Sequence, residues 1–137
     1  MARKTLLAIE TVTSGVQRMA DHAARLGHQL VVLAENPEIY ANPGGAIVLG
    51  FPTRDNSAVE KYIAERRTDI GNVFSSTDTW AIVAATMREK FGFRSRFTTD
   101  KLRLLRDKEW VQKQTRSIEL ADKPKYPRII KPRSGTG

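Results

Sequence analysis

Four short apolar runs, separated by stretches of helical spacing, constrain this chain more than any other feature. "KTLLAIE" (4–10) and "QLVVLA" (29–34) are continuous apolar segments, too short for core helices and of the right length for buried strands. Between them Val16, Met19, Ala20, Ala23 and Ala24 fall at i, i+3, i+4, i+7 and i+8, with Gln17, Arg18, Asp21, His22 and Arg25 on the opposite side. Gly27 stands where a helix would stop. "AIVLGF" (46–51) follows the punctuation "NPGG" and reads as a third strand. "TRDNS" is placed to cap a second helix carrying Ala58, Val59, Tyr62 and Ile63. "GNVFSS" (71–76) reads as a fourth strand. "TDTWAIVAATMREKFGF" predicts a third helix, with Trp80, Val83, Ala84, Met87 and Phe91 inward and Gly92 as its stop. Apolar strands alternating with amphipathic helices imply βαβ units. The expected fold is α/β, a Rossmann-like parallel sheet flanked by helices.

The pattern changes after Phe93. "RSRFTTDKLRLLRDKEWVQKQTRS" is basic and mostly helical, with Thr98 or Thr99 as the N-cap. "ADKPKYP" is a proline-broken connector, and "RIIK" (128–131) is a short strand ahead of the small-residue loop "RSGTG". The chain therefore divides into an α/β unit, 1–95, and the start of a second unit, 96–137. Charge divides in nearly the same place. Residues 1–87 hold 8 Lys/Arg and 9 Asp/Glu, and residues 88–137 hold 15 and 6, so the net +8 comes from the last 50 residues. Such a region suits a polyanion, either a nucleotide or a nucleic acid.

Several classes are excluded. Without cysteine there is no thiol nucleophile, no Cys-ligated zinc and no disulfide, which fits a reducing compartment. No apolar run approaches the ~20 residues of a membrane span. A soluble, cytoplasmic protein with no membrane partner is the expectation. His22 and His28 read as surface histidines, no Ser/His/Asp set can be argued, and no carboxylate pair has metal-ligand spacing. "ETVTSG" (10–15) lies where doubly wound folds bind ligands but lacks G-x-G-x-x-G, and a tight turn with a hydroxyl cap explains it. Helix capping likewise explains "SSTD" (75–78). Lys108 and Lys131 are the better candidates. A strand-borne lysine beside a small-residue loop suits a triphosphate, the amine as point charge and the loop as N–H donor. Equally, Lys131 can simply end an exposed strand.

The order of these motifs resembles the ATP-grasp superfamily of carboxylate–amine ligases, over essentially the whole chain. "LLAIETVTSG", the helix after it and "LVVLAENPEIYA" look like the opening of the pre-ATP-grasp domain, closest to the branch that ligates amino acids. "GNVFSSTDTWAIVAATMREKFGF" is similar to that domain's last strand and helix. "TTDKLRLLRDK" looks like the helix bearing the "(R/G)DK" signature, and "YPRIIKPRSGTG" matches "YPvvvKP..G.GS".

The resemblance implies an acyl-phosphate mechanism, with ATP and Mg²⁺ serving the full-length enzyme and a small carboxylate or amino acid as substrate. Lys108 and Lys131 match the lysines that contact ATP phosphates. Ser134, Gly135, Thr136 and Gly137 match the start of the flap over them. No catalytic residue and no metal ligand is assigned.

Two departures accompany the match. The chain stops inside the flap, and only 23 positions separate Lys108 from Lys131, fewer than the family has. The expectation is the N-terminal part of a larger ligase, inactive alone, with neither ATP nor Mg²⁺ held tightly. Two other readings stay open: a basic nucleic-acid-binding module, and a non-catalytic α/β interaction domain that pairs with a separate catalytic chain. For the ligase reading, nucleic-acid binding is weak and non-specific at most, and a homodimer is admissible.

Overall fold

The computed structural model describes residues 4–115. Lys131, Ser134, Gly135, Thr136, Gly137 and the strand expected at 128–131 lie outside the described residues.

Four strands form one wholly parallel sheet: β1 (Thr5–Ile9), β2 (Gln29–Ala34), β3 (Ile47–Gly50) and β4 (Ile70–Phe74), in the order β3-β2-β1-β4. Leu7 faces Val31 and Ile9 faces Leu33 across β1–β2, while Val32 faces Val48 across β2–β3. The expected α/β fold is thus the one observed. Three strands are shorter than predicted, and Lys4 and Glu10 fall outside β1. Ala46 and Phe51 lie outside the β3 ladder, and Ser75 and Ser76 leave β4 for the loop above it.

Strand alternation sorts the apolar residues onto two faces. Leu7, Ile9, Val31, Leu33 and Val73 point to one face. There they meet Val59 and Ile63 of α2 (Asn56–Glu65) and Ala84 and Met87 of α3 (Asp78–Phe91). Ala8, Leu30, Val32 and Ala34 point to the other face, under Val16, Ala20 and Ala23 of α1 (Val16–Arg25). Alanines on both sides of that second contact let helix and sheet come close. Leu7, Ile9, Leu33 and Ile63 are fully buried, each worth roughly 1.5–3 kcal/mol of burial.

The helix ends follow local chemistry. Asp55 caps α2 by accepting from the N–H groups of Ser57 at 2.9 Å and Ala58 at 3.1 Å. Gly92 ends α3 at φ 66°, where a side chain would be strained. α4 (Thr99–Arg106) is capped by Thr98, whose hydroxyl accepts from Lys101 N–H at 3.3 Å. The basic stretch is two helices. Asp107 ends α4 and caps α5 (Lys108–Thr115), accepting from Glu109 N–H at 3.0 Å and Trp110 N–H at 3.1 Å. Glu89 of α3 fastens α4, accepting from Thr99 N–H at 2.6 Å and the Thr99 hydroxyl at 2.9 Å.

Two capping expectations are corrected. No hydroxyl caps α1: a 3-10 turn at Thr13–Gly15 leads in, and Gly15 sits at the cap position. Thr77 does not cap α3 with its side chain either. Instead Ser76 hydrogen-bonds Thr11 across the two loops, and Ser75 pairs with Thr77.

Candidate functional site

Strand order reverses at β1. The chain runs outward through β2 and β3, then returns to place β4 on the other side of β1. In open α/β sheets ligands bind beyond the carboxyl ends of the strands at such a point. The residues there are the β1 loop, Glu10 to Gly15, and the β4 loop, Ser75 to Thr77.

Glu10 organises this edge. It follows β1 at φ 51°, a left-handed conformation that a glutamate adopts only when its surroundings hold it. Its buried carboxylate accepts from the Thr53 hydroxyl at 2.8 Å, from Glu35 N–H at 2.6 Å and from the Tyr40 hydroxyl at 3.3 Å. The loops after β1, β2 and β3 therefore meet on one side chain. Tyr40 adds a second tie, accepting from Thr11 N–H at 3.1 Å and donating to Thr11 C=O at 2.9 Å. Burial raises the Tyr40 hydroxyl above its ordinary value near 10. The bond to the Thr11 backbone opposes this, and the Glu10 charge adds to it.

The crevice proper is lined with hydroxyls. Thr11 Oγ1 and Ser76 Oγ share a hydrogen bond, and Ser76 Oγ also accepts from Val12 N–H at 3.0 Å. Ser75 Oγ donates to Glu10 C=O at 3.0 Å and pairs with Thr77 Oγ1 at 3.0 Å. Beside it, between the first turns of α2 and α3, lies a cleft of about 440 Å³ lined by Thr53, Arg54, Asn56, Thr79, Trp80 and Val83. Arg54 is committed to Glu35 at 2.8 Å. This edge offers hydrogen bonds and shape. His28 lies at the start of β2, the opposite end of the strands, and His22 is on the exposed side of α1.

Lys108 is the one sequence-predicted site residue within the described region. It opens α5, is half-buried, and its Nζ is buried with no hydrogen-bond partner among the described residues. An amine so placed has hydrogen-bonding capacity that an anion could use. No three His, Cys, Asp or Glu residues cluster to hold a metal, and no helix is long and apolar enough to cross a membrane, among the described residues. Sequence reasoning did not find the Glu10–Tyr40–Thr53 assembly. Its only local signal was a glutamate closing an apolar strand.

No protein-family model matches the sequence, and no curated protein matches it. Solved structures do match the fold. The crystal structure of an L-amino acid ligase from Bacillus licheniformis superposes with a TM-score of 0.72 over 98% of this chain, at 16% sequence identity. At that identity the likeness is one of fold. This chain spans 39% of the length of that ligase.

Proposed function

We propose that this chain is the N-terminal part of an ATP-dependent carboxylate–amine ligase acting on an amino acid or peptide-like substrate. The observation that carries the reading is the Lys108 amine, buried with no hydrogen-bond partner among the described residues and held at the start of α5 in the very motif that resembles the family's phosphate-contacting helix. The fold likeness to an L-amino acid ligase supports it. Phosphoryl transfer demands positioning and charge neutralisation more than a covalent nucleophile. Lys108 supplies a point charge for a phosphate oxygen. Lys131, with Ser134 to Gly137, supplies a second charge and N–H donors. The acyl phosphate then awaits an amine held by parts of the enzyme beyond this chain.

The chain alone binds Mg-ATP weakly on this reading. Two lysine–phosphate contacts and a few loop hydrogen bonds sum to about 3 kcal/mol, while a Kd of 1 mM already requires about 4 kcal/mol. An NMR titration of the 137-residue chain with Mg-ATP should shift the amides at the start of α5, with a Kd above about 1 mM. Lys108→Met should abolish the shifts and leave Tm unchanged or raised, because an apolar side chain suits a half-buried position with no partner among the described residues. Shifts that persist in Lys108→Met, or micromolar affinity of the isolated chain, would overturn the proposal. So would a Tm well below that of the parent, since the lysine would then be serving the fold.

A further inference from the structure

The two faces of the sheet are covered unequally. Among the described residues α2 and α3 lie on one face and α1 alone on the other, and the β2–β3 connection holds only a 3-10 turn at Pro37–Ile39. Parallel sheets bury both faces. Here Leu6 of β1 and Phe74 of β4 remain half-buried. With Met19, Ala23 and Leu30 they line a groove of about 430 Å³ that runs beside α1 and is almost wholly apolar.

One wall of the groove is charged. Arg18, His22 and Arg25 border it, at i, i+4 and i+7 on α1, and so form one stripe of that helix. Among the described residues neither arginine has an ion pair or a hydrogen bond, whereas Arg54, Lys61, Arg66, Lys90, Arg103 and Lys113 each meet a carboxylate. Both are exposed.

We propose that this groove takes an amphipathic helix of a partner polypeptide, whose apolar stripe is flanked by carboxylates that meet Arg18 and Arg25. The groove lies on the β4 side of α1, where no described helix covers the sheet, and its length along α1 suits an elongated apolar occupant. The arginines fix its charge. They stand seven residues apart, about 10 Å along α1, which is two turns and the interval at which a facing helix repeats its own side chains. A single carboxylate cannot span it. A second copy of this chain is a poor occupant, because a two-fold contact of groove on groove would bring the two arginine stripes together. Nor does any described helix carry a free apolar stripe with acids beside it. Val59 and Ile63 of α2 are buried, and the exposed Leu104 and Leu105 of α4 have a mixed flank in which Arg103 and Arg106 outnumber Asp100.

The test uses the 137-residue chain and two synthetic helical peptides of about 18 residues, or five turns. They share one leucine stripe and differ only in carrying Glu or Lys along its flanks. At about 50 mM salt, where screening is modest, the Glu peptide should bind at least about ten-fold more tightly by fluorescence anisotropy, a difference of about 1.4 kcal/mol. The double charge reversal Arg18→Glu with Arg25→Glu should invert that preference. Amide shifts should fall on α1 and around Phe74. Binding of neither peptide, equal binding of both, or a preference that survives the reversal would overturn the proposal. Sedimentation showing a dimer closed through this groove would replace the partner with a second copy. Dodecanoate displacing the peptide one-to-one would make the groove a site for a small amphiphile instead.

Discussion

The carboxyl edge of the sheet and the α4–α5 arm use the same device, an oxygen-bearing side chain that collects hydrogen-bond donors, and obtain opposite results from it. At the edge, the Glu10 carboxylate gathers partners 25, 30 and 43 positions away, so a single side chain joins three loops. On the arm, Thr98 and Asp107 reach only two or three positions along their own helices. The arm is joined to the rest through Glu89 to Thr99 and through Arg106 to the Asp78 carbonyl. It leaves Leu104 and Leu105 at 43% and 55% exposure. Long-range ties make a region part of the cooperative unit, whereas local caps secure only the element that carries them.

Glu10→Ala is the strongest test of that contrast. Alanine at φ 51° bears the same backbone penalty as glutamate, so the substitution isolates the carboxylate. It leaves the buried Thr53 hydroxyl and the Glu35 N–H without their acceptor. The expected cost is about 3 kcal/mol, felt by the whole sheet unit as a fall of about 10 °C in Tm. Thermal melting by circular dichroism checks it. A loss below about 1 kcal/mol would mean that the three loops are held independently of one another.

Thr98→Ala probes the other side of the comparison. Removing the cap should cost about 1 kcal/mol, and the cost should stay local. Amides of Lys101 to Asp107 should exchange about five-fold faster. Those of Leu7 to Ile9 and Val31 to Leu33 should keep their rates. If the sheet amides accelerated by the same factor, the arm would belong to the cooperative unit, and the contrast would fail.

The same distinction explains what could be read in the sequence. The strands and α1 to α3 were legible because their burial is periodic. Leu7 and Ile9 alternate with Ala8, and Val16, Ala20 and Ala23 recur at helical spacing. Gly27 and Gly92 marked true helix ends, both at positive φ. Glu10 was legible only as a polar residue ending a strand, because Tyr40 and Thr53 come from loops whose approach depends on the finished sheet. Ser75 and Ser76 read as strand, and "SSTD" as capping, for a similar reason. The bonds from Ser76 to Thr11 and Val12, and from Ser75 to the Glu10 carbonyl, cross 64 or 65 positions. The break at Asp107 had a local signal, an aspartate two residues before the first N–H it captures, but the basic composition on either side concealed it. Lys108 was legible as a motif residue. That its amine is buried with no partner among the described residues could not be read from the motif.

The smallest expected effect concerns pH and decides whether the edge network is closed to water. Burial and the Glu10 charge hold the Tyr40 hydroxyl above its ordinary value near 10, against the opposing bond to Thr11. Below pH 10 both the folded and the unfolded chain keep this proton, and its contribution to stability is whole. As pH rises past 10 the unfolded chain gives up the proton first. Unfolding then releases a proton, and stability falls until the pH passes the raised folded value. Tyr40→Phe has no such proton. It loses the bonds to Thr11 and Glu10 at every pH, which shifts its stability by a constant amount, but its alkaline slope should be shallower than that of the parent. Urea midpoints at about pH 9 and about pH 11, on either side of the ordinary tyrosine value, measure the two slopes and cancel the offset. The lysines titrate in both proteins and drop out of the difference. Equal slopes would show that the Tyr40 hydroxyl ionises as freely in the folded chain as in water. The edge would then be an open, exchanging cluster, as loosely tied as the arm it is compared with.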